Sequence, residues 1–222
     1  MPDATIIVPA YNEEAGLPGV LRQISNLEGS YEVIVVDDGS TDRTVEVAMQ
    51  YSVKIRQHDT NEGKGSALLT GFYAASYENI VWIDADGSYP VSVIPLMVDA
   101  LNNEYDGVVC SRASGRQNIP AFNRIGNWLF SVLIRGIYGF TPQDPCTGLY
   151  AMKWSHLLRM GLTSKRFAIE PEISIKAGRM GLKLYEFPIE YQARVGETKL
   201  NSIVVGLDDL WTIVKLIGWK AK

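Results

Sequence analysis

Cysteine and histidine are both scarce in this chain of 222 residues, which has only Cys110, Cys146, His58 and His156. Two cysteines without CxxC spacing build neither a disulfide framework nor a zinc ribbon. The absence of HxxxH and HExxH argues against a zinc hydrolase. Long apolar runs are also missing. The best stretch, residues 128–140, carries Arg135 in its middle and falls short of the ~20 residues that span a bilayer. The N-terminus reads Met-Pro-Asp-Ala-Thr, without a basic start, and Glu13 and Glu14 follow soon after, unlike a secretory signal. A cytoplasmic chain is expected, either soluble or peripheral at the cytoplasmic face of a membrane. A basic excess is lacking as well: the net charge is −4, which speaks against a nucleic-acid partner. Two glycine motifs are absent. His58 stands where a P-loop ending in Gly63-Lys64 needs its first glycine, and no strand is followed by GxGxxG, which disfavours an ATPase and a Rossmann dehydrogenase.

What is present is enough apolar residue, 46% against 21% charged, to bury a core. Residues 5–8, 32–36, 53–57, 80–83 and 107–110 are short Ile/Val-rich runs of the kind found in strands covered on both faces. Residues 13–27, 41–51, 66–77 and 91–102 have helical length and spacing. This alternation predicts an α/β fold with a mainly parallel central sheet flanked by helices. After Cys110 the alternation stops. Residues 122–138 read as an amphipathic helical stretch broken near Gly136, residues 150–152 and 184–187 as strands, and 170–180 as a helix between them. Residues 204–219 space their apolar residues as an amphipathic C-terminal helix does. No repeat or linker divides the chain, so one domain is expected. Nothing in the sequence speaks to oligomeric state.

The polar residues collect where the strands stop. The first run ends in Pro9-Ala10-Tyr11-Asn12-Glu13, the second in Asp37-Asp38-Gly39-Ser40, and the fourth in Asp84-Ala85-Asp86. In an open α/β sheet these carboxyl ends share one edge, where ligands bind. Asp84 and Asp86, two apart on extended backbone, point to the same side. Their mutual repulsion is relieved by a hard cation, Mg²⁺ or Mn²⁺, shared with substrate phosphates; a solvated acidic turn is the plainer reading. Asp37 and Asp38 serve equally as turn formers and as acceptors for a nucleobase or ribose.

In these blocks the chain resembles a family 2 glycosyltransferase with the GT-A type nucleotide-sugar-binding fold. The resemblance is carried by Pro9-x-Tyr11-Asn12-Glu13, Asp37 to Asp42, Gly63-Lys64-Gly65 and Asp84-Ala85-Asp86. Within that family it is most similar to the dolichol-phosphate (polyprenyl-phosphate) mannose synthase branch. That likeness rests on Ser111-Arg112, Arg124, Asp144-Pro145-Cys146-Thr147-Gly148, Glu170-x-Glu172, and Arg194-x-Gly196-Glu197-Thr198-Lys199. It implies a nucleotide-sugar-binding half (1–111), an acceptor-binding half (112–202) and an amphipathic tail (203–222). Pro9, Tyr11, Glu13, Val36, Asp38 and Lys64 would then hold the donor, together with Asp84, Ala85 and Asp86 at the metal and diphosphate. Ser88 stands beside the metal where relatives often have Gln. Arg112, Arg124 and Ser131 would face the acceptor phosphate, and Arg194 and Lys199 would close over the donor.

The residues support a phosphate acceptor independently. From Gly107 to Gln143 there is no acid, while Arg112, Arg116, Arg124 and Arg135 all occur among apolar residues. Such a stretch suits a lipid-borne anion at a membrane surface, or forms an ordinary core helix with solvated arginines. A phosphate monoester, with its second pKa near ~6, is already ionised and needs no strong base. Asp144 is the fallback base, and a carboxylate that organises its own turn is an equal reading. The expected chemistry is inverting transfer of a hexose, mannose from GDP-mannose above all, onto a polyprenyl or dolichyl phosphate. The alternatives are a UDP-sugar donor, a glycan acceptor, and a non-catalytic nucleotide-sugar-binding protein.

Overall fold

The computed structural model describes residues 4–139, 142–196 and 202–220. Seven strands form one sheet: β1 (Ala4–Ala10), β2 (Tyr31–Asp37), β3 (Lys54–Gln57), β4 (Asn79–Ile83), β5 (Gly107–Ser114), β6 (Leu149–Lys153) and β7 (Leu184–Glu190). Their order is β3-β2-β1-β4-β6-β5-β7. Only β6 runs against its neighbours, antiparallel to both β4 and β5. The mainly parallel sheet expected from the alternation is therefore present, and β1, β2 and β4 open their carboxyl ends side by side.

The helices are α1 (Leu17–Ser25), α2 (Thr44–Ala48), α3 (Lys64–Ala74), α4 (Ile94–Asn103), α5 (Ala121–Tyr138), α6 (Trp154–Met160), α7 (Ile169–Arg179) and α8 (Ser202–Lys215). Alternate residues of each strand feed opposite cores. Ile6 and Val8 pack with Leu17, Leu21, Met97 and Val98 on one face; Ile7 packs with Leu68, Phe72, Trp82 and Ile173 on the other. Trp82 lies flat on Tyr150, with ring centroids 5.1 Å apart. A third, smaller cluster of Ile134, Ile175, Ile213 and Leu216 ties α5, α7 and α8 together.

Two helices are shorter at the front than their periodicity implies. Asn12 adopts φ 53°, and its Oδ1 accepts from the Thr41 and Asp42 amides. The Thr44 hydroxyl takes the Glu13 amide at 2.7 Å. The polar groups of 12–14 and 40–44 are therefore largely engaged with each other, with Asp42 also accepting the first amide of α2, Thr44 N–H, at 3.0 Å, and α1 and α2 start late. The break expected near Gly136 is absent: α5 continues to Tyr138 and stops at Gly139, which takes the left-handed conformation. Helix α6 is an addition to the sequence reading. Among the described residues, no helix is long and apolar enough to cross a membrane.

Candidate active site

A cleft of about 910 Å³ opens at the carboxyl edge of β1, β2 and β4, with α5 and α8 on its far side. The structure brings Pro9, Tyr11, Glu13, Asp38, Lys64, Asp84, Ala85, Asp86, Arg112 and Arg194 together on its walls. These residues lie as far as 185 positions apart in sequence (194 − 9).

Opposite charges are paired across the cleft. Lys64, the first residue of α3, places Nζ 2.7 Å from Asp84 Oδ1 and 2.5 Å from Glu170 Oε1. Burial opposes the Lys64 charge, but the two carboxylates outweigh it and hold its pKa above the usual lysine value. Burial also pushes the Asp84 and Glu170 carboxyls upward, against the pull of Lys64. Arg194 lies 3.2 Å from Glu13 and 3.6 Å from Asp86. Asp86 is fixed from beneath, where its Oδ1 accepts from the Ser88 hydroxyl at 2.5 Å and the Ser88 amide at 3.0 Å. Gly148 presses on the other aspartate: a Cβ there would meet Asp84 Oδ2 at 2.1 Å. Its amide donates to Tyr89 Oη at 2.6 Å, which pins that approach.

Asp38 organises the loop before α3. Its carboxylate accepts from the Glu62 and Gly63 amides at 2.9 and 2.8 Å and contacts His58 Nδ1 at 2.7 Å. Gly63 and Gly65 are required for packing, because a Cβ at Gly65 would sit 2.2 Å from the Ser164 carbonyl oxygen. The 163–166 segment that presses there is held in turn by the buried Glu172, which accepts from the Thr163 and Ser164 amides and from Lys176 Nζ at 2.6 Å. A buried ion pair in α7 thereby sets the height of Lys64.

Arg112 and Asp144 form a buried fork. Nε donates to Oδ2 at 2.5 Å and Nη2 to Oδ1 at 2.6 Å, with a further bond to the Cys146 carbonyl at 3.1 Å. Burial disfavours the guanidinium charge, but neighbouring Tyr89 and Asp144 hold its pKa well above the ordinary value. The ring of Tyr191 lies 5.5 Å from the Arg112 guanidinium carbon.

Several sequence expectations need correction. Val36 is fully buried in the core and presents nothing to the cleft, because its strand-end position faces α3. Ser88 is also fully buried, and its hydroxyl is spent on Asp86, so it steadies a cleft aspartate from outside the wall. Asp144 lies under Arg112 rather than on the surface, bound at both oxygens, which suits a support and not a base. Arg124 is outside the cleft: the lining face of α5 is Asn123, Gly126, Asn127 and Phe130, and Arg124 sits on an outer patch with Ile125 and Trp128. The Ser131 hydroxyl is taken by the carbonyls of Asn127 and Gln143, at 3.0 and 3.2 Å. Lys199 lies outside the described residues.

Sequence reasoning left Glu170 and Asp209 without a role, although both line the cleft. Glu170 opens α7, where an acid reads as an ordinary partner of the helix dipole. Asp209 sits among apolar residues in what reads as an amphipathic tail. Glu170 was marked only as part of the Glu170-x-Glu172 motif, with no role attached, and no sequence signal separates Asp209 from a solvated acid.

With this geometry in place, comparison with known proteins gives a consistent result. The model of Glycosyl transferase family 2 matches residues 5–161. A dolichyl-phosphate hexose transferase of Haloferax volcanii is 32% identical over 216 residues, covering 96% of this chain and 93% of its own length. An undecaprenyl-phosphate mannosyltransferase of Micrococcus luteus is 29% identical, covering 90% of this chain and 88% of its own. A dolichol-phosphate mannosyltransferase of Pyrococcus furiosus is 32% identical over 98% of this chain and 64% of its own. Among solved structures, glucosyl-3-phosphoglycerate synthase of Mycobacterium tuberculosis, crystallised with Mn²⁺, UDP and glucosyl-3-phosphoglycerate, superposes with TM-score 0.77 at 24% identity. That match covers 98% of this chain and 80% of that one. The fold is thus of the GT-A type, and the chain belongs to glycosyl transferase family 2.

Proposed function

We propose that this chain is a single glycosyltransferase domain that moves a hexose from a nucleotide sugar to a polyprenyl phosphate, by one inverting displacement. The observation that carries the reading is the cleft itself, which joins the strand-end aspartates to buried Arg112 and opens beneath α5 and α8. The relatives named above, whose names specify dolichyl or undecaprenyl phosphate, support the acceptor class.

Pro9, Tyr11, Glu13 and Asp38 form the nucleoside end. Asp84 and Asp86 fit a hard divalent cation, Mg²⁺ or Mn²⁺: both offer only oxygens, both lie on the cleft wall, and such ions take one or two carboxylates plus phosphate and water. Among the described residues no larger His/Cys/Asp/Glu cluster offers a cage. When bound, the cation would neutralise charge on the departing diphosphate. Lys64 and Arg194 are the chain's own cations beside that diphosphate. Arg112, fixed by Asp144, faces the acceptor phosphate. That oxyanion is already ionised, so the protein's task is to hold it in line with the anomeric carbon and exclude water.

The membrane reading rests on α5 and α8. Trp128 is 64% exposed and Trp211 66%, and Ile125, Leu129, Val132, Leu207, Leu210 and Val214 are exposed with them. Apolar faces flanked by Arg124, Arg135 and Lys215 match a lipid surface with anionic heads. This reading makes the chain peripheral at a cytoplasmic membrane face.

The test is a donor panel. GDP-mannose, UDP-glucose and UDP-GlcNAc, each sugar-labelled, are incubated with polyprenyl phosphate and Mn²⁺, and the organic extract is counted. One donor should give a lipid-soluble product; label that stays aqueous for all three, in protein that binds nucleotide, refutes the acceptor. Vesicle co-sedimentation should fall for the Trp128→Glu/Trp211→Glu double variant.

A further inference from the structure

Asp209 lies on the inward face of α8, only 4% exposed, and lines the cleft beside Glu170 and Cys146. Its Oδ1 is shielded from solvent and has no hydrogen-bond partner among the described residues. Among the described residues, no lysine, arginine or histidine pairs with it either. Leaving a buried carboxyl oxygen unpartnered is costly, so it marks a place where a ligand group belongs. We propose that Asp209 recognises a hydroxyl of the transferred hexose and helps determine which sugar this enzyme accepts. The inference rests on the glycosyltransferase reading above and adds a residue to it.

Charge decides which part of the substrate comes here. The cations that line the cleft have other neighbours: Lys64 is held between Asp84 and Glu170, Arg194 is at Glu13 and Asp86, Arg112 is on Asp144, and Arg166 packs against Gly63. A phosphate group settles against those. Asp209 faces Glu170, and the half-buried Asp208 is its neighbour in α8; both add negative potential, and with burial they push its carboxyl up to about 7. Cys146, whose thiol is itself pushed up by burial, is a further neighbour that feels Asp209. A phosphate dianion is repelled from such a place. A polyol is not: its O–H groups donate to carboxyl oxygens in either protonation state of Asp209, and they need no counter-charge.

The placement also gives α8 two jobs on opposite faces. Trp211 and Val214 are exposed, and Leu207 and Leu210 are exposed at the mouth of the cleft, while Asp209, Thr212 and Ile213 are buried on the inward side. A helix seated by its outer face on lipid holds its inner carboxyl at a fixed depth in the cleft.

The experiment measures discrimination rather than activity. Wild type, Asp209→Ala and the near-isosteric Asp209→Asn are compared on GDP-mannose, UDP-glucose and their 2-, 3-, 4- and 6-deoxyhexose analogues. Transfer is read as kcat/KM, and donor binding as Kd by calorimetry. Wild type should reject at least one deoxy analogue by about 50-fold or more, since a site built around a hydroxyl leaves its own polar group unpaired without it. Asp209→Ala should bring that ratio to within about threefold of unity, with Asp209→Asn between the two. A role in packing alone would lower intact and deoxy donors together and leave the ratio unchanged; that result overturns the proposal, as does a wild type indifferent to every deletion. If no lipid product forms, the acceptor reading fails, while the Kd ratios still decide the role of Asp209. Failure of both donors to bind overturns the two together.

Discussion

Gly148→Ala tests how closely the aspartate pair is positioned. Gly148 is not among the positive-φ glycines, so an alanine fits its backbone and the whole cost comes from the added methyl. That carbon would sit 2.1 Å from Asp84 Oδ2, 2.5 Å from Cγ and 2.8 Å from Oδ1, where ordinary contacts begin at 3.4 Å. Gly148 is held by its bond to Tyr89, so the carboxylate must retreat by about 1 Å, a displacement that costs on the order of 100-fold in rate when it misplaces a catalytic group. The 2.7 Å contact with Lys64 is lost in the same movement. Overpacking of this kind costs about 1–3 kcal/mol in stability, or roughly 3–10 °C in melting temperature for a chain of this size. Product formation and thermal melts are measured side by side, with Gly19→Ala as the control. Gly19 is exposed in α1 with nothing within 4 Å of its added Cβ, and alanine there should be neutral or stabilising. Asp84→Ala and the Gly148→Ala/Asp84→Ala double variant complete a cycle, in which the second methyl should cost no further activity once the carboxylate is gone. A Gly148→Ala enzyme within about threefold of wild type in kcat/KM would refute the positional argument.

Lys176→Met should cost ~3–5 kcal/mol, read as a lower urea midpoint, because it strands buried Glu172. Burial works against the Glu172 charge, but Lys176 and Ser164 hold its pKa below the ordinary value. The pair's contribution is present above the unfolded pKa of ~4.3 and is lost as acid titrates the folded carboxylate, and Lys176→Met should flatten that acid limb. Asp209 has the opposite sign. With its carboxyl raised to about 7, its share of stability is full below its unfolded pKa and disappears as pH rises to 7, so ligand-free Asp209→Asn should gain on wild type at pH 8, by ~4 kcal/mol at most, and not at pH 4. Arg112→Lys loses the fork with Asp144 and should raise the KM for polyprenyl phosphate about 10-fold or more. Arg124→Ala, outside the cleft, should leave turnover on detergent-solubilised acceptor near wild type, and equal losses in the two variants would contradict their placement. EDTA in excess should abolish transfer and Mn²⁺ should restore it; full turnover in EDTA removes the cation from Asp84 and Asp86.

The sheet was legible because parallel strands buried on both faces read as nearly continuous apolar runs, and 6–8, 33–36 and 80–83 are such runs. The edge was legible for the same reason, since topology alone places whatever follows those runs at one end. Side-chain direction was not. Val36 and Asp38 are two residues apart at the end of β2, yet one faces the core and the other the cleft, because the strand ends between them and the chain turns toward α3. Arg124 and Asn127 are three apart on α5, and only the docking of α8 decides which face becomes a wall. Asp144 and Arg112 are 32 apart, and no spacing rule announces that the acid stands behind the base. The lining of the cleft was legible where a motif sits on one strand end, and hidden where two distant elements must meet.

The pairing of charges within the cleft bears on how the proposed reaction is balanced. Asp84 and Asp86 do not stand as bare repelling anions. Lys64 serves the first and Arg194 the second, at 2.7 and 3.6 Å. A nucleotide sugar arriving with a divalent cation would bring one partner for each side, a diphosphate for Lys64 and Arg194 and a positive ion for the aspartates. Binding would then exchange counter-ions instead of creating unpaired charge, which avoids the several kcal/mol that each stranded buried ion costs. The same exchange couples the two ligands. An ion arriving alone would compete with Lys64 and leave it facing only Glu170, and a diphosphate arriving alone would take Lys64 from the carboxylates it neutralises. Each ligand would relieve the cost the other incurs, and by linkage each would tighten the other by the same factor. Glu170, 2.5 Å from Lys64 Nζ, would keep the lysine anchored through such a swap, in place to take Asp84 back when the spent nucleotide leaves.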